Sequence, residues 1–111
     1  MNKLYASDAL EASAVASAAA CFVDEIIATN TSAGVLYLHI FDSATVPADT
    51  NDPDICIAVP ATATVTWDAD TQKGSRGCKF DNGCAVCFSS TAVPKTVAGS
   101  IGAFTVRGKA A

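Results

Sequence analysis

Apolar and polar residues alternate with a period of two in several short stretches of this chain, and each stretch ends at glycine, proline, aspartate or asparagine. The clearest example is residues 35–42, Val-Leu-Tyr-Leu-His-Ile-Phe-Asp. A period of two indicates an extended strand, because successive side chains of a strand point to opposite faces. Short strands separated by turn residues are typical of a β-sandwich or barrel. The pattern therefore predicts an all-β fold.

The alternation defines a set of strands and the loops between them. Strands are predicted over residues 21–29, 35–41, 55–59, 62–67, 79–81, 84–90 and 101–107. Strict alternation in the first strand places Phe22, Ile26 and Ala28 on one face. The turn at residues 30–34 and the Asn82-Gly83 pair each predict a hairpin. Loops are predicted over residues 42–54, 68–77 and 94–100. We expect seven or eight strands in one antiparallel sandwich of the jelly-roll kind.

The first twenty residues are rich in alanine and serine and have no large apolar stripe. Alanine favours helix, and Ser7, Asp8 and Glu11 are residue types that cap one. A helix here would nevertheless have almost nothing to bury. We therefore expect residues 1–20 to be an extended arm, with a strand in this segment as the alternative. A sandwich body is expected over residues 21–107 and a tail over residues 108–111.

Length and charge restrict the classes of function. A chain of 111 residues has room for one domain, residues 1–111. Its net charge is −4 and its seven lysines and arginines are scattered, which argues against nucleic-acid binding. Asp8 and Glu11 interrupt a possible signal peptide, and Asp24 and Glu25 interrupt the best candidate for a membrane span. Without a secretory route, the glycosylation pattern at residues 30–32 has no expected use.

The chain has five cysteines, an odd number that leaves at least one unpaired: Cys21, Cys56, Cys78, Cys84 and Cys87. Cys84 and Cys87 form a C-x-x-C pair, which suits a redox centre or half of a zinc site. Residues three apart on a strand point to opposite faces, so a zinc site would need further ligands, from Cys21, Cys78 or His39. We expect most of the thiols to be reduced and buried as small hydrophobic groups, with no bound zinc; a disulfide and a metal site are the alternatives.

The residues of this sequence that could act in catalysis are not accompanied by the partner residues that a catalytic mechanism needs. His39 is the only histidine and lies mid-strand, which favours a packing role. Asp68 and Asp70 are expected to shape a turn. The three aspartates within residues 49–54 fit no EF-hand spacing, so turn formation is again the expected role. The sequence therefore predicts no catalytic, cofactor-binding or metal-binding residue and no enzymatic activity.

Three segments follow the pattern of a known family. They are Ala14-Val15, residues 35–50 with a strand followed by Ala-Thr-Val-Pro, and residues 79–91 with a Phe-Asp-Asn-Gly turn, an apolar strand and Ser-Thr. In these segments the chain resembles small phage and prophage proteins encoded among virion structural genes. The resemblance covers most of residues 14–106, and the chain departs from it by placing cysteine where Ala, Val or Ile is expected. It implies a β-sandwich virion protein without catalytic residues.

The resemblance also implies a location and partners. We expect a capsid decoration or cement protein on the capsid surface of the virion, in the host cytoplasm during assembly. Its partners would be the major capsid protein and copies of itself, as a dimer or trimer, with residues 6–20 against the shell. The alternatives are a tail, baseplate or head-fibre component, a carbohydrate-binding module, or a zinc or redox protein using Cys84 and Cys87. The carbohydrate module is disfavoured because its candidate aromatics lie in strands rather than loop tips: Tyr37, Phe41, Phe80 and Phe88.

Overall fold

Nine strands make up the regular structure in the described part of the chain, which comprises residues 3–68, 78–92, 95–99 and 101–111 of a computed structural model. The strands are β1 (Lys3–Ala6), β2 (Ser13–Ser17), β3 (Cys21–Asn30), β4 (Leu36–Phe41), β5 (Ile55–Val59), β6 (Thr64–Asp68), β7 (Cys78–Phe80), β8 (Cys84–Ser89) and β9 (Gly102–Ala110). The all-β prediction is confirmed. The loop predicted over residues 68–77 lies outside the described residues, except for Asp68.

The strands form two antiparallel sheets that pack face to face. The first sheet has the order β1-β9-β3-β6, with β7 also pairing with β3, and the second has the order β2-β8-β4-β5. Their inner faces share one apolar core, in which the rings of Phe88 and Phe104 lie 5.1 Å apart. The chain is therefore an antiparallel β-sandwich, as the alternating pattern predicts.

A β-bulge in β3 changes which side chains reach the core. The register with β9 shifts between Val23 and Glu25, so one extra residue is accommodated there. As a result Val23 and Ile26 are both fully buried although they are three positions apart. The sequence interpretation put Phe22 and Ile26 on one face, and this was wrong because strict alternation assumes an unbroken strand.

Both predicted hairpins are wrong, because the turns connect the two sheets. β3 and β7 belong to the first sheet, whereas the strands that follow them, β4 and β8, belong to the second. The Asn82-Gly83 turn is held by the carboxylate of Asp42, which accepts hydrogen bonds from the backbone N–H groups of Asp81 and Asn82 at 3.2 and 2.8 Å. Gly83 has a φ of 146°, and a Cβ there would lie 2.5 Å from the Ser17 carbonyl oxygen. Turn residues determine the local backbone, but not the sheet that the next strand joins.

The N-terminal residues are part of the sandwich rather than an arm outside it. β1 pairs with β9 and β2 pairs with β8, so residues 3–17 supply one edge strand to each sheet. Ala14 lies in the core, and the tyrosine hydroxyl of Tyr5 donates to the carboxylate of Glu11, which joins β1 to the start of β2.

The predicted tail is also incorporated, since β9 extends to Ala110. A Cβ at Gly108 would lie 2.0 Å from the carbonyl oxygen of Phe22, so glycine permits the close approach of β9 to the bulged part of β3.

Candidate functional site

The outer face of the second sheet carries a cluster of buried polar groups under a layer of loop. His39 and Ser89 are fully buried and Lys95 nearly so. The loop layer consists of residues 42–54, 90–92 and 95–98. The two loop segments are joined by backbone hydrogen bonds from the Thr50 N–H to the Lys95 carbonyl oxygen and from the Lys95 N–H to the Asn51 carbonyl oxygen, at 2.8 and 2.7 Å. The part of this face around His39, Cys87 and Ser89 is therefore covered by the protein's own chain.

An ion pair fastens the loop layer. The ammonium of Lys95 lies 2.5 Å from Oδ1 of Asp49, and the same oxygen accepts a hydrogen bond from the Val97 N–H at 3.1 Å. The Lys95 side chain is 4% exposed and that of Asp49 is 47% exposed, so the pair links a buried cation to a surface anion. The hydrogen bond from Lys95 lowers the pKa of Asp49. Sequence reasoning missed Lys95, because nothing near it in the chain marks it as buried.

His39 is the central side chain of this cluster. It is directly opposite Cys56 of β5 on one side and Cys87 of β8 on the other. Neither ring nitrogen has a hydrogen-bond partner among the described residues, although the carbonyl groups of Thr91 and Ala92 are near the ring. Burial lowers the pKa of His39, and these carbonyls oppose that effect. The imidazole is therefore neutral at pH 7, and its burial is more complete than the half-buried position the sequence indicates.

The Cys87 thiol beside His39 is also neutral. Burial raises the pKa of Cys87 to about 11, and its thiol donates a hydrogen bond to the Phe88 carbonyl oxygen at 3.2 Å. A nucleophilic cysteine needs a lowered thiol pKa and a base able to hold the proton. Because both groups are uncharged, Cys87 is not activated by His39. The two residues lie opposite each other as neutral, buried side chains.

The cysteines whose side chains the structure describes do not converge on one metal ion. Cys84 lies in the core between the sheets, whereas Cys87 lies on the outer face, as their spacing predicts. Cys56 and Cys87 share the outer face but are separated by the whole of β4, a distance of two strand spacings or about 10 Å. A zinc ion binds sulfur at about 2.3 Å. Within the part of the chain that the structure describes, no three His, Cys, Asp or Glu side chains are grouped to hold a metal.

Most of the described cysteine side chains are buried, as expected: three are buried and one is exposed. Cys21, Cys84 and Cys87 are buried, but Cys56 is exposed because it lies on the outward face of the edge strand β5. Its thiol donates to the Ala92 carbonyl oxygen at 3.3 Å. The side chain of Cys78 lies outside the described part of the structure.

The loop aspartates form ordinary loop contacts. Asp49 binds Lys95, and the carboxylate of Asp54 accepts a hydrogen bond from the Asp42 N–H at 2.7 Å. Both carboxylates are thus engaged by the protein, although by contacts with distant residues rather than by the local turn contacts that the sequence indicates. The predicted Asp68–Asp70 pair cannot be compared, since Asp70 lies outside the described residues.

The outer face of the first sheet is open in the described structure. One half is weakly polar: Thr29 and Thr64 join their hydroxyls at 2.8 Å, and Ile27 lies between Thr66 and Thr105 on neighbouring strands. The other half is charged, with the ammonium groups of Lys79 and Lys109 5.9 and 5.8 Å from the centre of the Phe22 ring. Because no described segment covers it, this face is a better candidate for contact with another protein than the outer face of the second sheet.

In the described ranges, no helix has the length and apolar character needed to cross a membrane. Comparison of the chain with protein-family models, with curated proteins and with solved structures gives no match.

Proposed function

We propose that this chain is a non-enzymatic structural protein of a bacteriophage virion. In this proposal it is a decoration or cement protein that binds the major capsid protein on the capsid surface, acts as a homo-oligomer, and is present in the host cytoplasm during assembly. It uses no cofactor and binds neither nucleic acid nor membrane. The proposal starts from the resemblance of residues 35–50 and 79–91 to virion structural proteins.

The order of the strands is the observation that carries the proposal. β6 and β7 pair with successive parts of β3, so they count as one interrupted strand. Counted in this way, the described chain has eight strands, and β8 and β9 become the seventh and the eighth. In these numbers the strand order is 1-8-3-6 in the first sheet and 2-7-4-5 in the second. This order supports a jelly roll, a fold that viral capsid domains and lectins share. Since one fold serves several functions, the choice between them depends on the surfaces.

The surfaces favour a protein-binding role over a carbohydrate-binding one. Phe41, Phe80 and Phe88 are buried, so three of the four candidate aromatics cannot stack on a sugar ring. The open face of the first sheet has instead a weakly polar half around Ile27, Thr66 and Thr105. The central part of a protein–protein interface is depleted of charged residues, so this half suits contact with a protein shell. We assign shell binding to this face, in place of residues 6–20, whose strands belong to the sandwich.

Binding to capsids that lack this protein tests the proposal. The full chain is mixed with such particles and sedimented, together with Thr66→Glu on the open face and Ala48→Glu in the loop layer as the matched control. We expect the wild type and Ala48→Glu to sediment with the particles and Thr66→Glu to remain in solution.

Two other outcomes are informative. If both variants bind like the wild type, the shell contacts a different face. If the wild type fails to bind capsids but binds purified tails, the tail or baseplate alternative replaces the decoration role.

A further inference from the structure

β5 is an edge strand with regular geometry. It pairs with β4 in an unbroken register from Leu36–Val59 to Ile40–Ile55. Within the described structure β4 is its only partner strand, so one side of β5 is without a strand neighbour. The backbone N–H and C=O groups on that side of an edge strand are available to another extended chain.

The other described edges carry features that discourage strand pairing, and β5 carries none of them. β1 has a charged residue, Lys3, and a shift in register, and β2 has a shift between Val15 and Ser17. The edge shared by β6 and β7 contains Asp68 and Lys79 and is interrupted between the two strands. β5 reads Ile-Cys-Ile-Ala-Val, with neither a charge, a proline nor a bulge. Charges and bulges are the usual protection of an edge.

We propose that β5 pairs in antiparallel fashion with β5 of a second copy of this chain. The two-fold axis passes beside Ile57, so that Ile57 faces Ile57 of the second copy, Ile55 faces Val59, and Cys56 faces Ala58. The two four-stranded sheets become one continuous sheet of eight strands. The same surface is used by both copies, as a two-fold interface requires.

The side chains of β5 suit this occupant. Ile55 and Ile57 are only half-buried, so a second copy extends the apolar core over them. The outward residues Cys56 and Ala58 are small and exposed, and they meet without a clash. In the antiparallel arrangement Asp54 lies beside Pro60 of the second copy, whereas a parallel arrangement would place two Asp54 carboxylates side by side. Charge compatibility therefore selects the antiparallel dimer.

This interface describes how two copies of the proposed homo-oligomer bind each other. It therefore rests on the proposal that the protein acts as a homo-oligomer. A five-residue strand forms few hydrogen bonds, so the dimer dissociates on dilution. On a shell that carries many copies, two copies attached to neighbouring sites have a high effective concentration relative to each other. This compensates for the weak contact between them.

Light scattering during size-exclusion chromatography tests the dimer with the full chain. The test variant is Ala58→Lys, which adds a charge on an exposed position of the edge, and the matched control is Val15→Lys on the opposite edge of the same sheet. We expect the wild type and Val15→Lys to form concentration-dependent dimers and Ala58→Lys to elute as a monomer with an unchanged circular dichroism spectrum. A wild type that is monomeric at every concentration, or a dimer unaffected by Ala58→Lys, overturns the proposal.

Thiol cross-linking tests the same geometry without altering the edge. The experiment uses a Cys78→Ala background, in which Cys56 is the exposed thiol. Because Cys56 faces Ala58 of the second copy, the two Cys56 residues are diagonal neighbours, and their Cα atoms lie about 8 Å apart. A short bismaleimide should give a covalent dimer that is lost in Cys56→Ser. Absence of a cross-link overturns the interface, whether or not Ala58→Lys folds. Capsid sedimentation is independent of this result, so failure of the dimer and failure of shell binding are distinguished.

Discussion

His39 and Cys87 face each other across neighbouring strands on the outward side of a sheet, and both are fully buried. An outward face of a sandwich is ordinarily solvated. Here the loop layer covers it, and Val46 packs on Phe41 and Cys87 to form a small second core. On this covered face, burial extends the pH range over which His39 and Cys87 stay neutral, and the dependence of stability on pH follows from them.

Acidification is expected to destabilise the protein through His39. Burial lowers the pKa of His39 below its ordinary value of 6.5. Below pH 6.5 the unfolded chain therefore binds a proton that the folded chain does not, and the free energy of unfolding decreases as the pH falls. Urea denaturation between pH 7.5 and 4.5 measures this decrease. His39→Leu keeps the packing and should remove most of it; an identical pH profile in His39→Leu would contradict a neutral buried imidazole.

Alkaline conditions are expected to act through Cys87. Its pKa is raised from 9.0 to about 11 in the folded protein. Between these values the unfolded chain loses the thiol proton first, so the free energy of unfolding falls by up to about 1.4 kcal/mol for each pH unit. Cys87→Val lacks the thiol and serves as the comparison. The wild type and Cys87→Val should therefore diverge in chemical denaturation above pH 9; parallel curves would show that the thiol titrates normally.

Deletion of residues 1–20 is expected to prevent stable folding. The deletion removes β1 and β2, and thereby exposes the edges of β9 and β8 together with core residues Phe104 and Val106. An arm outside the sandwich would predict an unchanged fold. Circular dichroism and thermal unfolding of the truncated chain distinguish the two. Leu10→Ser, at an exposed position between the strands, is the control and should change stability by less than about 0.5 kcal/mol.

Asn30 is expected to be structural and unavailable for glycosylation. Its side chain is fully buried; Nδ2 donates to the Gly34 and Val59 carbonyl oxygens at 2.9 and 3.2 Å, and Oδ1 accepts from the Ser32 N–H at 2.8 Å. Asn30→Ala leaves these groups unsatisfied and should cost roughly 2–4 kcal/mol in chemical denaturation.

The matched control for this variant is Asn51→Ala, which removes an exposed asparagine with one side-chain hydrogen bond to the Ala48 carbonyl oxygen. It should cost less than about 1 kcal/mol. Equal losses in the two variants would mean that the buried network around Asn30 does not stabilise the end of β3. Glycan attached to Asn30 of the folded protein would contradict its burial directly.

Local pattern in the sequence was sufficient to predict most strands. β5 has the predicted bounds, and β4 and β8 differ from prediction by one residue at an end, because these strands alternate or are bounded by turn residues. The bulge in β3 was not predictable, since no residue type marks the position where alternation shifts between Val23 and Glu25. Period-two reasoning also gives no information on which sheet a strand joins.

The covered outer face was beyond sequence reasoning for a related reason. The contact between Lys95 and Asp49 joins positions 46 residues apart, and only the folded loop layer brings them together. Once the layer is in place, Lys95 and His39 become buried although both are polar residue types. The opposite placement of Cys84 and Cys87 was predictable, because it depends on strand geometry alone.

Protein identification in purified virions is the most direct test of the proposed function. The proposal implies that a phage encodes this chain, so heads and tails of that phage are separated and analysed by quantitative mass spectrometry. A decoration protein should be found in the head fraction, in a fixed ratio to the major capsid protein, and should be absent from tails. Absence of the chain from both fractions would contradict the virion assignment.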